Sequence, residues 1–329
     1  MNYDVFNGDA DGICALHQLR MAEPREAELV TGVKRDIKLL ARLVKKSVTD
    51  ADITVLDISM DSNKEDLLSL LSGGNRVCYV DHHFAGDIPD SPQLHATIDP
   101  SADICTGLIV DKLLGGRYKA WAVVAAFGDN LYDAARQAAE DLDISSKELA
   151  ILQELGELMN YNGYGRIVSD LHYSPEALYK AVQPFNNPIV FYNTSEVLAR
   201  LKDGFTNDMA RARAIEPHSE TEAGRVFLMP NETWSRRVAG VFSNEKAREK
   251  TNKANALLVD NGDGSYLVSV RAPLENKQGA VDLCRRFPTG GGREAAAGIN
   301  ALPADQVEDF LKAFHTQWLP EDKGQKTDE

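Results

Sequence analysis

Three short apolar runs near the start of the chain each stop at an acid. Asp4-Val5-Phe6 leads into Asn7-Gly8-Asp9-Ala10-Asp11-Gly12, Ile53-Thr54-Val55-Leu56 into Asp57, and Arg76-Val77-Cys78-Tyr79-Val80 into Asp81-His82-His83. Runs of this length without polar alternation fit strands covered on both faces, as in a parallel sheet. Open α/β sheets bind ligands in the crevice beyond the carboxyl ends of their strands, so the pattern is expected to converge carboxylates and imidazoles on one crevice. A turn after a strand would by itself explain Asp9 and Asp11. Repetition of the pattern on three strands favours a site.

Helical signals separate these runs, over residues 13–21, 37–46 and 63–71, with further strand signals at 29–31 and 94–98 and a helix over 106–114. Such alternation predicts βαβ crossovers and a doubly wound, mainly parallel α/β sheet. Residues 118–182 read as helical, and a polar, charged helix over 195–214 leads to a different pattern. Strands at 224–229, 254–259 and 266–271 follow, the last two joined through Asp260-Asn261-Gly262-Asp263-Gly264 as a hairpin. A helix over 279–286, a glycine run and an amphipathic helix over 304–314 complete a smaller α+β unit. The 329 residues exceed what a single core serves, roughly 250–300. The expected division is a first domain over 1–190, a helical linker over 191–222, a second domain over 223–319 and a disordered tail over 320–329.

With 36 basic residues against 50 acidic ones, the net charge of −14 argues against the long basic face that duplex nucleic acid requires. A small anionic substrate needs only a local patch of cations. Cys14, Cys78, Cys105 and Cys284 show no CxxC spacing and fall within predicted elements or at their starts, so they are expected to be reduced and buried. The first residues read as a strand, with no basic or apolar leader pattern expected among them, and no apolar run approaches the ~20 residues of a membrane span. A cytoplasmic protein without a membrane partner is expected, and a homodimer is compatible with the sequence. His17, His95, His218 and His315 lack ligand spacing and read as surface or core residues.

Asp9-Ala10-Asp11-Gly12, the lone Asp57, Asp81-His82-His83 and Asp129 within Phe127-Gly128-Asp129-Asn130 resemble motifs I to IV of the DHH phosphoesterase superfamily. That family includes RecJ-type exonucleases, nanoRNases, cyclic dinucleotide phosphodiesterases and exopolyphosphatases. Gly290-Gly291-Gly292-Arg293-Glu294-Ala295-Ala296-Ala297-Gly298 resembles the GGGHxxAAG motif of the accompanying DHHA1 domain, and Ser269-Val270-Arg271 stands where that domain has an SxR strand. The resemblance implies a DHH catalytic domain and a DHHA1 substrate-binding domain, and it spans nearly the whole chain.

The residue types suit the implied chemistry, because hard carboxylates and an imidazole favour Mn²⁺ or Mg²⁺. By the resemblance, Asp11, Asp57, His82 and Asp129 ligate one ion. Asp9 holds a second, with Asp57 bridging the pair and Asp129 a further candidate bridge. Catalysis falls to Asp81, His82 and His83, with Asp81 fixing an imidazole tautomer, His83 reaching the scissile phosphate, and water activated by metal as nucleophile. Val5 departs from the nanoRNase branch, which carries a histidine four residues before the first motif I aspartate. The second ion is therefore expected to be held less firmly, and the site takes one ion or two.

Three consecutive glycines let backbone N–H groups approach an anion, and Ala296-Ala297-Gly298 suggests a helix packed closely on the sheet. Arg293 replaces the family's histidine, and its planar fork suits a terminal phosphate or a guanine edge. Arg271, Gly290, Gly291, Gly292 and Arg293 are the expected substrate contacts. The stretch Asn160-Tyr161-Asn162-Gly163-Tyr164-Gly165-Arg166 reads first as a polar interdomain loop, with base contact by Tyr164 or His172 as the alternative. Together these readings predict a Mn²⁺-dependent phosphodiesterase that cleaves short linear oligoribonucleotides, 5′-phosphorylated dinucleotides such as pGpG above all. RecJ-like exonuclease action on longer strands, polyphosphate hydrolysis and non-catalytic nucleotide sensing are the alternatives.

Overall fold

The computed structural model describes residues 1–319; the expected disordered tail over 320–329 lies outside the described residues. One compact unit spans Met1–Phe205, and a second begins at Thr206.

The first unit is α/β. Its elements run β1 (Asn2–Phe6), α1 (Ala10–Ala22), β2 (Glu28–Thr31), α2 (Leu40–Lys45), β3 (Asp52–Leu56), α3 (Lys64–Ser72), β4 (Arg76–Asp81) and β5 (Leu94–Ile98). There follow α4 (Thr106–Leu113), α5 (Lys119–Gly128), α6 (Tyr132–Ala139), α7 (Ser146–Gly163), α8 (Pro175–Val182) and α9 (Pro188–Thr194), and α10 (Glu196–Arg213) runs across the division between the two units. The strands form one sheet in the order β2-β1-β3-β4-β5, every pair parallel. The strand order reverses between β1 and β3, which puts the ligand crevice of an open sheet beyond those two carboxyl ends.

Each strand supplies both faces of the sheet. Phe6, Leu56 and Val80 point into a core made with α1, α4, α5 and α7. Val5, Val55 and Tyr79, one residue back on each strand, point into the opposite core with α2 and α3. This two-sided burial is why the sequence runs are continuously apolar. Helix α5 is buried on all sides from Trp121 to Gly128, and it ends where the chain reaches Asp129.

The second unit carries a six-stranded mixed sheet in the order β10-β11-β9-β8-β7-β6. Its elements are β6 (Ser219–Glu220), β7 (Gly224–Met229), α11 (Thr233–Glu249), β8 (Ala254–Asp260), β9 (Ser265–Arg271), α12 (Ala280–Cys284), β10 (Gly290–Gly292), β11 (Ala296–Pro303) and α13 (Val307–Gln317). The pairing of β8 with β9 is the hairpin expected from the Asn-Gly and Asp-Gly signals. The glycine run forms a short edge strand, paired through Gly291↔Gly298. Asn160–Gly163, expected in a polar loop, is the buried last turn of α7, because Asn162 exchanges hydrogen bonds with the Tyr173 backbone at 2.9 and 3.0 Å.

Candidate metal centre

The carboxyl ends of β1, β3 and β4 bring the motif residues together. Asp9 caps α1, its Oδ1 accepting the Gly12 N–H at 3.1 Å. Asp11, one residue inside that helix, accepts from two backbone groups at the start of α4, Thr106 N at 2.8 Å and Gly107 N at 2.7 Å. The close approach needs glycine at 107, since a Cβ there would stand 2.4 Å from the Ala125 methyl. Asp57 adopts the left-handed backbone conformation with φ 59°, a strained state for a residue other than glycine.

His82 lies in the middle of this set. Its Nε2 is 3.4 Å from Asp57 Oδ1, 3.7 Å from Asp129 Oδ2 and 3.9 Å from Asp11 Oδ2. Its Nδ1 faces the Ile104 carbonyl at 3.0 Å, and a carbonyl can only accept. In the neutral ring Nδ1 therefore carries the proton and Nε2 presents a lone pair to three carboxylates. Acceptors facing acceptors at these distances suit a cation between them. Hard oxygen donors with one imidazole are the donor set for Mn²⁺ or Mg²⁺, so the residues present fit such an ion.

The electrostatics agree. Burial, compounded by the charges of Asp11, Asp9, Asp129 and Asp81, pushes the Asp57 carboxyl well above the usual range. Burial raises Asp129 as well, with Lys34 opposing and Asp11 and Asp9 adding to the rise. Asp129 also follows the end of α5, where the helix dipole disfavours negative charge. Asp81 is completely buried; its Oδ1 accepts from His83 Nδ1 at 2.7 Å, while Oδ2 has no protein hydrogen-bond partner. For the His83 ring burial favours the neutral form, but the bond and charge of Asp81 outweigh it and raise the imidazole pKa.

Lys34 was not anticipated. It lies in the loop after β2, so a fourth strand end feeds the crevice. Its Nζ is 2.5 Å from Asp9 Oδ2, 3.3 Å from Asp129 Oδ1 and 2.9 Å from Asn160 Oδ1. Burial would lower its pKa, but Asp9, Tyr164 and Asp129 hold it well above an ordinary lysine. Asp9 is affected in turn: burial raises its carboxyl, and the charge and hydrogen bond of Lys34 bring it below the usual value. Both oxygens of Asp9 are thus engaged, one by Gly12 and one by Lys34. The signal in the sequence was Lys34-Arg35-Asp36, a charged cluster following the run Leu29-Val30-Thr31.

Tyr164 lies near the Lys34 ammonium, 5.7 Å from its ring centroid, whereas His172 is tied to the Tyr161 hydroxyl at 2.8 Å. In the second unit, Arg271 closes β9 opposite Ala296, its Nε donating to Asn244 at 2.8 Å. Arg293 is exposed at the turn joining β10 to β11, closed by its N–H to the Ala296 carbonyl at 2.9 Å. Gly290 lies against the end of α12, where a Cβ would meet the Cys284 carbonyl at 1.8 Å; at Gly291 a Cβ would meet nothing. Cys14, Cys105 and Cys284 are buried and Cys78 partly so, all as free thiols.

No family model matches the chain, and no curated protein matches it by sequence. Solved structures do. A manganese-bound exonuclease RecJ aligns over 96% of this chain and 89% of its own, with TM-score 0.65 and 17% identity. RecJ from Thermus thermophilus with Mn²⁺ aligns over 96% of this chain and 51% of its own, with TM-score 0.66 and 18% identity. The pGpG-specific phosphodiesterase PggH from Vibrio cholerae aligns over 96% and 98%, with TM-score 0.57 and 12% identity. The chain therefore shares the fold of these RecJ and PggH structures. Among the described residues, no helix is long and apolar enough to cross a membrane.

Proposed function

We propose that the chain is a divalent-metal-dependent phosphodiesterase acting on short linear oligoribonucleotides, with 5′-phosphorylated dinucleotides such as pGpG its preferred substrates. The observation that carries the reading is the lone pair of His82 Nε2 set among the oxygens of Asp11, Asp57 and Asp129. These four residues hold the ion. When bound, Mn²⁺ or Mg²⁺ supplies Lewis acidity at a phosphoryl oxygen and makes water acidic enough to attack near neutral pH.

The protein's own groups do the rest. Asp81 holds His83 through Nδ1, and the ring, with its side chain 44% exposed, is left with Nε2 available to a phosphoryl oxygen. Asp81 raises the ring's pKa, which favours the protonated form that can donate to that oxygen. In the second unit, Arg271, Arg293 and the backbone of Gly290–Gly292 bind the end of the substrate. The net charge of −14 supports a short ligand over a long strand; the fold itself is shared with both PggH and RecJ.

The test is initial rates with Mn²⁺ on 5′-phosphorylated RNAs from two to about seven nucleotides. The reading expects the highest kcat/KM on dinucleotides; a rate that climbs with length rejects the short-substrate assignment. Arg293→Ala should raise KM about tenfold, the cost of one charge-assisted contact. An unchanged kcat/KM on every substrate would remove Arg293 from the binding site.

A further inference from the structure

A metal centre built on several buried carboxylates has room for more than one cation, and here one position is already filled by the protein. The Lys34 ammonium has three N–H donors, and three acceptors surround it: Asp9 at 2.5 Å, Asn160 at 2.9 Å and Asp129 at 3.3 Å. Two of these are carboxylates of the metal-binding motifs. The third is a neutral amide on the buried last turn of α7, which completes the ammonium's hydrogen bonding without adding charge.

The backbone around Lys34 is fixed as well. Its N–H donates to the Gly163 carbonyl at 2.9 Å, and its own carbonyl accepts from Asn7 Nδ2 at 3.3 Å, tying the residue to α7 and to the end of β1. His82, by contrast, faces Asp57 and Asp11 as well as Asp129 and makes no bond to Lys34. Asp129 is shared: Oδ1 turns to Lys34 and Oδ2 to His82.

We infer that Lys34 is a built-in second cation, so that the site takes one divalent ion at His82, Asp11, Asp57 and Asp129 while the ammonium occupies the position beside Asp9. Lys34 is a positioning residue: with its donors committed, it acts by neutralising Asp9 and orienting Asp129 toward the ion. The inference rests on the metal-dependent reading above and limits it to a mononuclear centre.

The experiment is Mn²⁺ stoichiometry by equilibrium dialysis with metal analysis, together with EPR of the bound Mn²⁺, on the full chain and on Lys34→Ala and Lys34→Gln. The wild type should bind one ion per chain with an isolated-ion spectrum. Both variants should bind two, with the multiline signature of a magnetically interacting pair. Two ions in the wild type would overturn the inference without any variant having to fold. One ion in the wild type and in a folded variant would also overturn it, because removing the ammonium should open its position. No ion in any of the proteins would instead defeat the metal-dependent reading itself.

Discussion

Two buried charge clusters lie on the same parallel sheet and are built on opposite principles. Toward the start of β1, Asp4 is held by both arms of the Arg20 guanidinium, at 2.8 and 2.6 Å, and Arg20 also donates to Thr54 at 3.0 Å. One acid meets its own base, and a second guanidinium, Arg25, stands 3.5 Å away. Beyond the end of β1, Asp9, Asp11, Asp57, Asp81 and Asp129 gather around a single lysine and two imidazoles. The first cluster is neutralised from within, so it can serve the fold without help. The second carries more negative charge than the chain balances, and a buried imbalance of that kind is disfavoured unless a cation enters.

The comparison breaks most clearly under matched substitutions. Asp57→Asn should cost at least about a thousandfold in kcat/KM, equivalent to about 4 kcal/mol, because the proposed centre loses one of its four ion ligands. The same change should leave the stability of the chelator-treated protein unchanged or higher, since the carboxylate it removes is repelled by its neighbours. Asp4→Asn should do the reverse: a loss of roughly 3–5 kcal/mol in unfolding free energy, from stranding a buried guanidinium, with kcat of the folded fraction preserved. Denaturant unfolding and kinetics on the two variants read both signs.

Metal sharpens the contrast at smaller scale. At a hundredfold excess over Kd, Mn²⁺ should stabilise the wild type by about 2.7 kcal/mol, reversibly with EDTA, and should not stabilise Asp57→Asn. Asp4→Asn should keep the full metal response.

The smallest effect concerns His17, buried beneath Trp121 with Nε2 bonded to the Phe185 carbonyl at 2.8 Å. Burial lowers its pKa from the usual 6.5 to about 4, against the opposing pull of that hydrogen bond. Below pH 6.5 the unfolded chain takes up a proton that the folded chain refuses, so stability falls as pH falls toward 4. The loss should be about 1 kcal/mol between about pH 6.5 and 5.5, and His17→Gln should flatten it.

Much of this was legible because strand ends announce themselves. An apolar run that stops at Asp57 or at Asp81-His82-His83 records both the burial of the strand and the polarity of the crevice. What was not legible depends on contacts distant in sequence. Lys34 follows a strand as the acids do, but only the fold brings it to Asp9 and Asp129. Asn160 looked like a loop residue until α7 placed it against Lys34. The glycine run concealed an edge strand, because its pairing is made by backbone groups and leaves no side-chain period. Helix α11 (Thr233–Glu249) was missed for a related reason: its buried face mixes Trp234, Val238 and Phe242 with Ser235, Arg237 and Ser243. The Arg237 guanidinium is satisfied there by Asp208, at 2.7 and 3.1 Å, a partner no local pattern reveals.

The most direct test of the proposed metal-dependent phosphodiesterase activity is mononucleotide release from a 5′-phosphorylated RNA dinucleotide, comparing wild type with Asp57→Asn in Mn²⁺ and in EDTA. Hydrolysis by the wild type in Mn²⁺ alone, with the variant and the EDTA samples near background, is the predicted result. Hydrolysis that survives EDTA or the loss of Asp57, or none at all from wild-type protein that binds Mn²⁺, would contradict it.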